Sequence, residues 1–191
     1  MLALLGVGAV LGRLSPRWFT PGTEGARGPA VITQVRELSR LEGVSYHVER
    51  VVDLKSEQRR LFGLVAADDA ILLVASGDVV AGVDLGQLAP SDVSVAPDGR
   101  SATLRLPRAE IFSARLDNAR TYVHSRKTDL LAQRSETLET QARQAAEQTL
   151  RSAAEDAGIL KRAEDSVART VSSLVRTLGF ENVRVDFRDQ S

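Results

Sequence analysis

Val44, Tyr46 and Val48 alternate with Ser45, His47 and Glu49, the two-residue period of a strand with one buried face. Ahead of them Val31, Val35 and Leu38 recur at helical spacing behind Pro29. That spacing predicts a short helix from about 30 to 40, with Gly43 beyond it as a stop. Two continuous apolar runs follow, Ala70 to Ala75 and Val79 to Leu85, around Ser76-Gly77-Asp78. They predict a hairpin turning on Gly77 and Asp78, its strands covered on both faces. Gly82 either marks a bulge or removes a side chain where something packs closely. A second hairpin is predicted from Val93 and Val95, through the Ala96-Pro97-Asp98-Gly99-Arg100 turn, to Ala102, Leu104 and Leu106. Pro107 has no N–H to give to a ladder and ends it.

From about Leu116 the period becomes helical. Leu131, Leu138, Ala142, Ala145, Ala146, Leu150 and Ala153 predict a long helix between Asp129 and Asp156, with an alanine-lined seam that permits close backbone approach. Sustained heptads are missing between Arg115 and Gln133, so the helices are expected to pack on the chain's own sheet rather than as a coiled coil. Gly158 interrupts. Leu160, Ala163, Val167, Val171, Leu174 and Leu178 then mark a second amphipathic helix, which Gly179 closes in a left-handed conformation with Phe180 folded back on the last turn. Val183, Val185 and Phe187 alternate with Arg184, Asp186 and Arg188, giving a strand that needs a partner. The expected fold class is α+β: an antiparallel hairpin-built sheet, a long helix, a second amphipathic helix and a C-terminal strand returning to the sheet. Residues 30–191 are expected to form this single domain.

Residues 1–14 are apolar apart from Arg13, and a Pro/Gly-rich linker covers 15–29. A bilayer-spanning helix needs about 20 apolar residues. The run is read as a shortened membrane anchor, against the alternatives of a minimal signal segment and a buried terminal helix; Trp18 and Phe19 suit a membrane interface. Gly6, Gly8 and Gly12 do not follow a strand and so do not make a dinucleotide fingerprint. The chain is thus placed at the cell membrane, spanning once or peripheral, with the cytoplasm as the alternative.

The 191 residues are 43% hydrophobic and 26% charged, and 25 basic residues balance 25 acidic ones. A neutral chain has no field to gather nucleic acid, so no nucleic-acid partner is expected. The absence of cysteine removes disulfides, thiolate metal sites and cysteine nucleophiles. His47 and His124 are the two histidines and stand in unlike contexts, Asp68-Asp69 reads as a turn, and the carboxylates at Glu136, Glu139, Glu164 and Asp165 are spaced as helix-surface charges. No metal, cofactor or catalytic residue is expected. Tyr122 and His124, with Arg120 and Arg126, are the one small set joining a titratable ring to basic partners, and are read as a helix end.

Several short segments follow one another in a particular order: Leu61-Phe62-Gly63, Ala81-Gly82-Val83-Asp84-Leu85, Leu106-Pro107-Arg108-Ala109-Glu110-Ile111, the Ala142, Arg143, Ala146, Glu147 helix, Gly158-Ile159-Leu160, and Leu178-Gly179-Phe180. In this order they resemble the bacterial family catalogued as domain of unknown function 4230. The resemblance implies no activity and carries over no catalytic residue. It implies a domain that in many members follows a single membrane helix, from which the short apolar run here departs.

Three functions stand open. The leading one is a non-enzymatic, membrane-associated binding or scaffolding domain with an unknown protein partner. The second is a small-ligand binder or unrecognised enzyme with a pocket between sheet and long helix, for which Asp84, Arg105, Glu110 and His124 are the polar candidates. The third is a homo-oligomer built through the helices.

Overall fold

The computed structural model describes residues 27–60, 65–130, 132 and 135–189. The apolar run 1–14, the linker as far as residue 26 and the Leu61-Phe62-Gly63 segment lie outside them.

Helix α1 (Arg27–Glu37) leads into strands β1 (Arg40–Arg60) and β2 (Val65–Asp84). These two run antiparallel over their whole length, Arg40 opposite Asp84 and Arg60 opposite Val65. The hairpin expected around Ser76-Gly77-Asp78 is therefore corrected: β2 passes straight through that tripeptide. Gly77 serves close approach instead of a turn, since a Cβ there would press on the Arg115 carbonyl and stand 2.7 Å from Leu150 Cδ1. Gly43, read as a helix stop, likewise lies inside β1, where a Cβ would come within 2.7 Å of the Ala163 carbonyl.

Beyond β2, two short 3-10 turns precede β3 (Val93–Val95) and β4 (Ser101–Leu106), which form the expected second hairpin and end at Pro107. The helical reading from Leu116 fails next. Two strands occupy that stretch, β5 (Glu110–Leu116) and β6 (Tyr122–Thr128), and the helix begins only at Leu138. They pair in tandem with the free edge of β2, β5 beside residues 77–82 and β6 beside residues 69–74. Their polar residues misled the pattern because both are outer strands of the sheet, each with a single strand partner among the described residues.

Helices α2 (Leu138–Asp156) and α3 (Ile159–Thr177) lie on one face of this four-stranded sheet, separated by Gly158 at φ 78°. Gly179 at φ 95° closes α3, and Phe180 is buried behind it. The last strand, β7 (Asn182–Phe187), does return to a sheet, but to a second, three-stranded one in the order β3-β4-β7, parallel to β4.

Three apolar clusters fill the space. Val52, Ile71, Leu73 and Ala75 meet Leu138, Ala142 and Ala146 of α2. Val48, Val79 and Ala81 meet Leu150 and Ala154 of α2 with Ile159 and Ala163 of α3. Val167, Val171 and Val175 meet Leu104 and Leu106 of the small sheet and Val31 and Val35 of α1. One stripe of α3, repeating every four residues, thus packs first on the long sheet and then on the small one.

Gly82 faces the irregular pairing at Glu42 and Val44, and a Cβ there would press on the Leu41 carbonyl, 2.6 Å from the Phe112 ring and 2.9 Å from Glu42 Cα. Both sequence readings of this residue hold, since it packs closely beside a bulge. Gly82→Ala is expected to lower unfolding stability by about 3 kcal/mol, the upper range for overpacking because backbone must yield; urea denaturation at unchanged m-value checks it.

Candidate functional site

The two sheets meet at a seam, and three of the four sequence candidates lie along it. Asp84 ends β2 and caps the 3-10 turn after it, accepting from the Gly86 N–H and from Gln87 Nε2 at 3.0 Å each. Glu110 begins β5 and pairs at 4.0 Å with Arg40, whose guanidinium also stacks 4.0 Å over Phe112. Asp84 and Glu110 share a shallow cavity of about 330 Å³ with Arg108 and Arg188. Arg105, on β4, stands in a neighbouring cleft of about 760 Å³ between α3 and β7, 3.5 Å from Asp189.

The charges of this seam are spoken for within the protein. Arg108 pairs at 3.1 Å with Glu164 of α3, which also accepts from the Ala109 N–H at 3.3 Å. Arg188 donates to Asp92 at 2.6 Å and to the Gln87 carbonyl at 3.0 Å. Burial works against ionisation of Asp92, but Arg188 and the Ala89 N–H outweigh it and hold the carboxyl below its usual range. The arrangement fits a latch between sheets better than a cradle for a charged ligand, which needs groups whose partner is the ligand.

His124 does not join this set. It sits exposed at the irregularity of β6, opposite the middle of β2. Its neighbour Arg126, also singled out in the sequence, is the more consequential residue. Asp69, read as part of a turn, is fully buried inside β2. It accepts from Arg126 Nε at 3.2 Å, Arg126 Nη2 at 2.5 Å, Thr128 Oγ1 at 2.7 Å and the Ser135 N–H at 2.8 Å. Arg126 Nη2 also donates to the Ser135 carbonyl at 2.7 Å. The Arg126 hydrogen bonds drive the Asp69 carboxyl far below the ordinary carboxylate range, against its burial. Every oxygen is used, so this is a clamp that ties the segment before α2 to the sheet.

The sequence places His47 on the polar side of a strand, with no nucleophile beside it in the chain. The β1–β2 register supplies one. Asp78 lies directly opposite His47, and Ser76 shares its face two residues away. His47 Nδ1 is 2.9 Å from Asp78 Oδ1, and His47 Nε2 is 3.0 Å from Ser76 Oγ. Hydroxyl, imidazole and carboxylate in line is the order that activates a serine nucleophile. The surroundings argue for another role. Ser76 is 1% exposed. Its N–H donates to Thr121 Oγ1 at 3.2 Å and so is already engaged, and its carbonyl accepts from Thr121 Oγ1 and from the Asp117 N–H. The group fastens β1, β2 and the β5–β6 turn together. It was hidden because Ser76 and Asp78 read as a turn, not as strand residues two apart on one face.

The model of the family described as protein of unknown function (DUF4230) matches residues 33–185, and the chain belongs to that family. Searches of curated proteins and of solved structures find no match. The segments holding Asp84 and Pro107 to Glu110, on which the family resemblance rests, meet at the seam cavity.

Asp69→Asn is expected to destabilise the fold by about 3–5 kcal/mol at neutral pH, because it strands the largely buried Arg126. The sign with pH follows from a carboxyl whose folded pKa is depressed. Its contribution is complete above the unfolded value of about 4 and is lost as pH falls below that. Urea unfolding from pH 7 to 3 should show the wild-type advantage shrinking below about pH 4; a constant difference contradicts the clamp.

Proposed function

We propose that this chain is a non-enzymatic binding or scaffolding domain, held at a membrane by its N-terminal apolar segment, that seats a protein partner on the uncovered face of its long sheet. One observation carries the reading. Helices α2 and α3 cover one face of that sheet, and among the described residues no element covers the other. Its centre is apolar: Val51 and Tyr122, 61% and 55% exposed, flank Val74 on β2, with Leu72 two residues along on the same face. Antiparallel sheets often leave one face to water, but that face is then normally polar. Glu49, Asp53, Glu57, Asp68 and Asp78 outnumber Lys55, Arg115 and Lys127 on it. The partner that fits is a protein surface with an apolar centre and a basic rim.

A small-ligand reading has weaker support, since the seam cavities are shallow and their charges are paired internally. Membrane attachment rests on the composition of residues 1–14 alone.

The chain has no cysteine, so a single introduced thiol reports one position. In cells making the full-length protein, Tyr122→Cys should react with maleimide several-fold more slowly than Gln148→Cys on the exposed side of α2, and equally fast after denaturation. Equal rates in the folded state would remove the face as a binding surface. Recovery of the full-length chain wholly in the soluble fraction would remove the membrane tether.

A further inference from the structure

We infer that the free edge of β1 pairs with the same edge of a second copy of this chain, antiparallel about a two-fold axis through Val52. The inference concerns a different surface from the sheet face and stands without it.

Among the described strands β1 pairs with β2 alone, so a long row of its backbone donors and acceptors faces outward. Such an edge invites another strand, and charged side chains ordinarily blunt it. Here the charges are arranged to fit the same sequence running the other way. A two-fold axis normal to the sheet keeps the helix layers of both copies on one side, so only residues of like parity can oppose each other.

With the axis at Val52, Glu49 opposes Lys55 of the second copy, His47 opposes its Glu57, and Asp53 opposes its Val51; symmetry repeats each contact. Moving the axis to Val51 sets Glu49 against Asp53. Moving it to Asp53 sets that carboxylate against itself and Glu49 against Glu57. An axis at Arg50 opposes two guanidinium groups. Like charges directly across a ladder are destabilising. An axis at Leu54 also opposes unlike charges, but pairs only residues 48–60, whereas the Val52 register runs over 44–60, from the irregularity at Glu42 and Val44 to the end of the strand. The longer ladder has more rungs.

Two further observations agree. Among the described residues Lys55 and Glu57 stand in no ion pair, so their charges are free to meet those of the second copy, whereas Glu49 stands 3.8 Å from His47 of its own strand. The Arg50 guanidinium, meanwhile, rests on the Glu49 carbonyl at 2.9 Å, a flexible cover that an incoming strand can displace.

Sedimentation of the purified full-length chain over a range of concentrations tests this. A monomer–dimer equilibrium is expected. Lys55→Glu and Glu49→Lys should each weaken it by about tenfold or more, because each sets two like-charge pairs across the axis. The double variant E49K/K55E should restore it, with circular dichroism confirming that all variants fold. Mixing V51C with D53C should give a disulfide-linked pair faster than either alone. A strict monomer, a dimer indifferent to Lys55→Glu, or failure of the double variant to recover overturns the pairing. Slow labelling of Tyr122→Cys in cells together with a monomeric purified chain leaves the sheet-face reading intact while removing this one.

Discussion

Strand β2 is 20 residues long and interior to its sheet, so the donors and acceptors on both of its edges have to be paired. β1 satisfies one edge in full. The other is met by two strands of seven residues each, β5 and β6, laid end to end. Their junction leaves a gap opposite Ser76. There the Asp117 N–H and the Thr121 hydroxyl take over the bonds that a continuous strand would have made. At the far end, where β6 runs out, Asp129 closes on Asp68 and the Asp69 clamp gathers Arg126, Thr128 and Ser135. The buried polar side chains among the described residues are Asp69, Ser76 and Thr121. All three belong to these two junctions, so the polar groups most suggestive of chemistry follow from the need to finish a ladder.

The second requirement is to join two sheets. β7 is hydrogen-bonded to β4 and not to the long hairpin, so the sheets share no rung. They share α3 instead, whose Ile159 and Ala163 lie on the long sheet and whose Val167, Val171 and Val175 lie on the small one. Close seating of α3 explains Gly43, and the ion pairs of Arg108 with Glu164 and of Arg188 with Asp92 hold the seam around it. Desolvation offsets much of the attraction in such partly buried pairs, but removing one partner leaves a charge unpaired at the seam.

The α+β class, the Val93–Leu106 hairpin, α3 with its glycine boundaries and the alternation of β7 were legible in the sequence because each shows one clean period. What escaped was set by partners distant in the chain. Ser76-Gly77-Asp78 has turn composition, yet Gly77 is there for the Arg115 backbone and the Leu150 side chain. The stretch from Tyr122 to Thr128 lacks an apolar period because, as an outer strand, it buries little but the Arg126 bonds to Asp69. Of the site candidates, Asp84 stands at the very end of β2. The convergence of Asp84 and Glu110 on one cavity could not be seen without knowing that β5 pairs with β2.

The two surfaces left over after these requirements are met have a geometric relation. Pairing β1 to β1 about an axis normal to the sheet extends it in its own plane, so the bare faces of both copies point the same way and the α2 and α3 layers point the other. Each copy keeps Val51, Val74 and Tyr122 on that common side. A patch of a few apolar side chains holds a partner weakly by itself, because association must first offset lost rotational and translational freedom. Two such patches fixed side by side turn the second contact into an intramolecular one, and avidity rises without any new kind of contact. An uncovered face and an unpaired edge on the same hairpin are therefore complementary properties of one scaffold, in which the edge sets the valency and the face sets the partner.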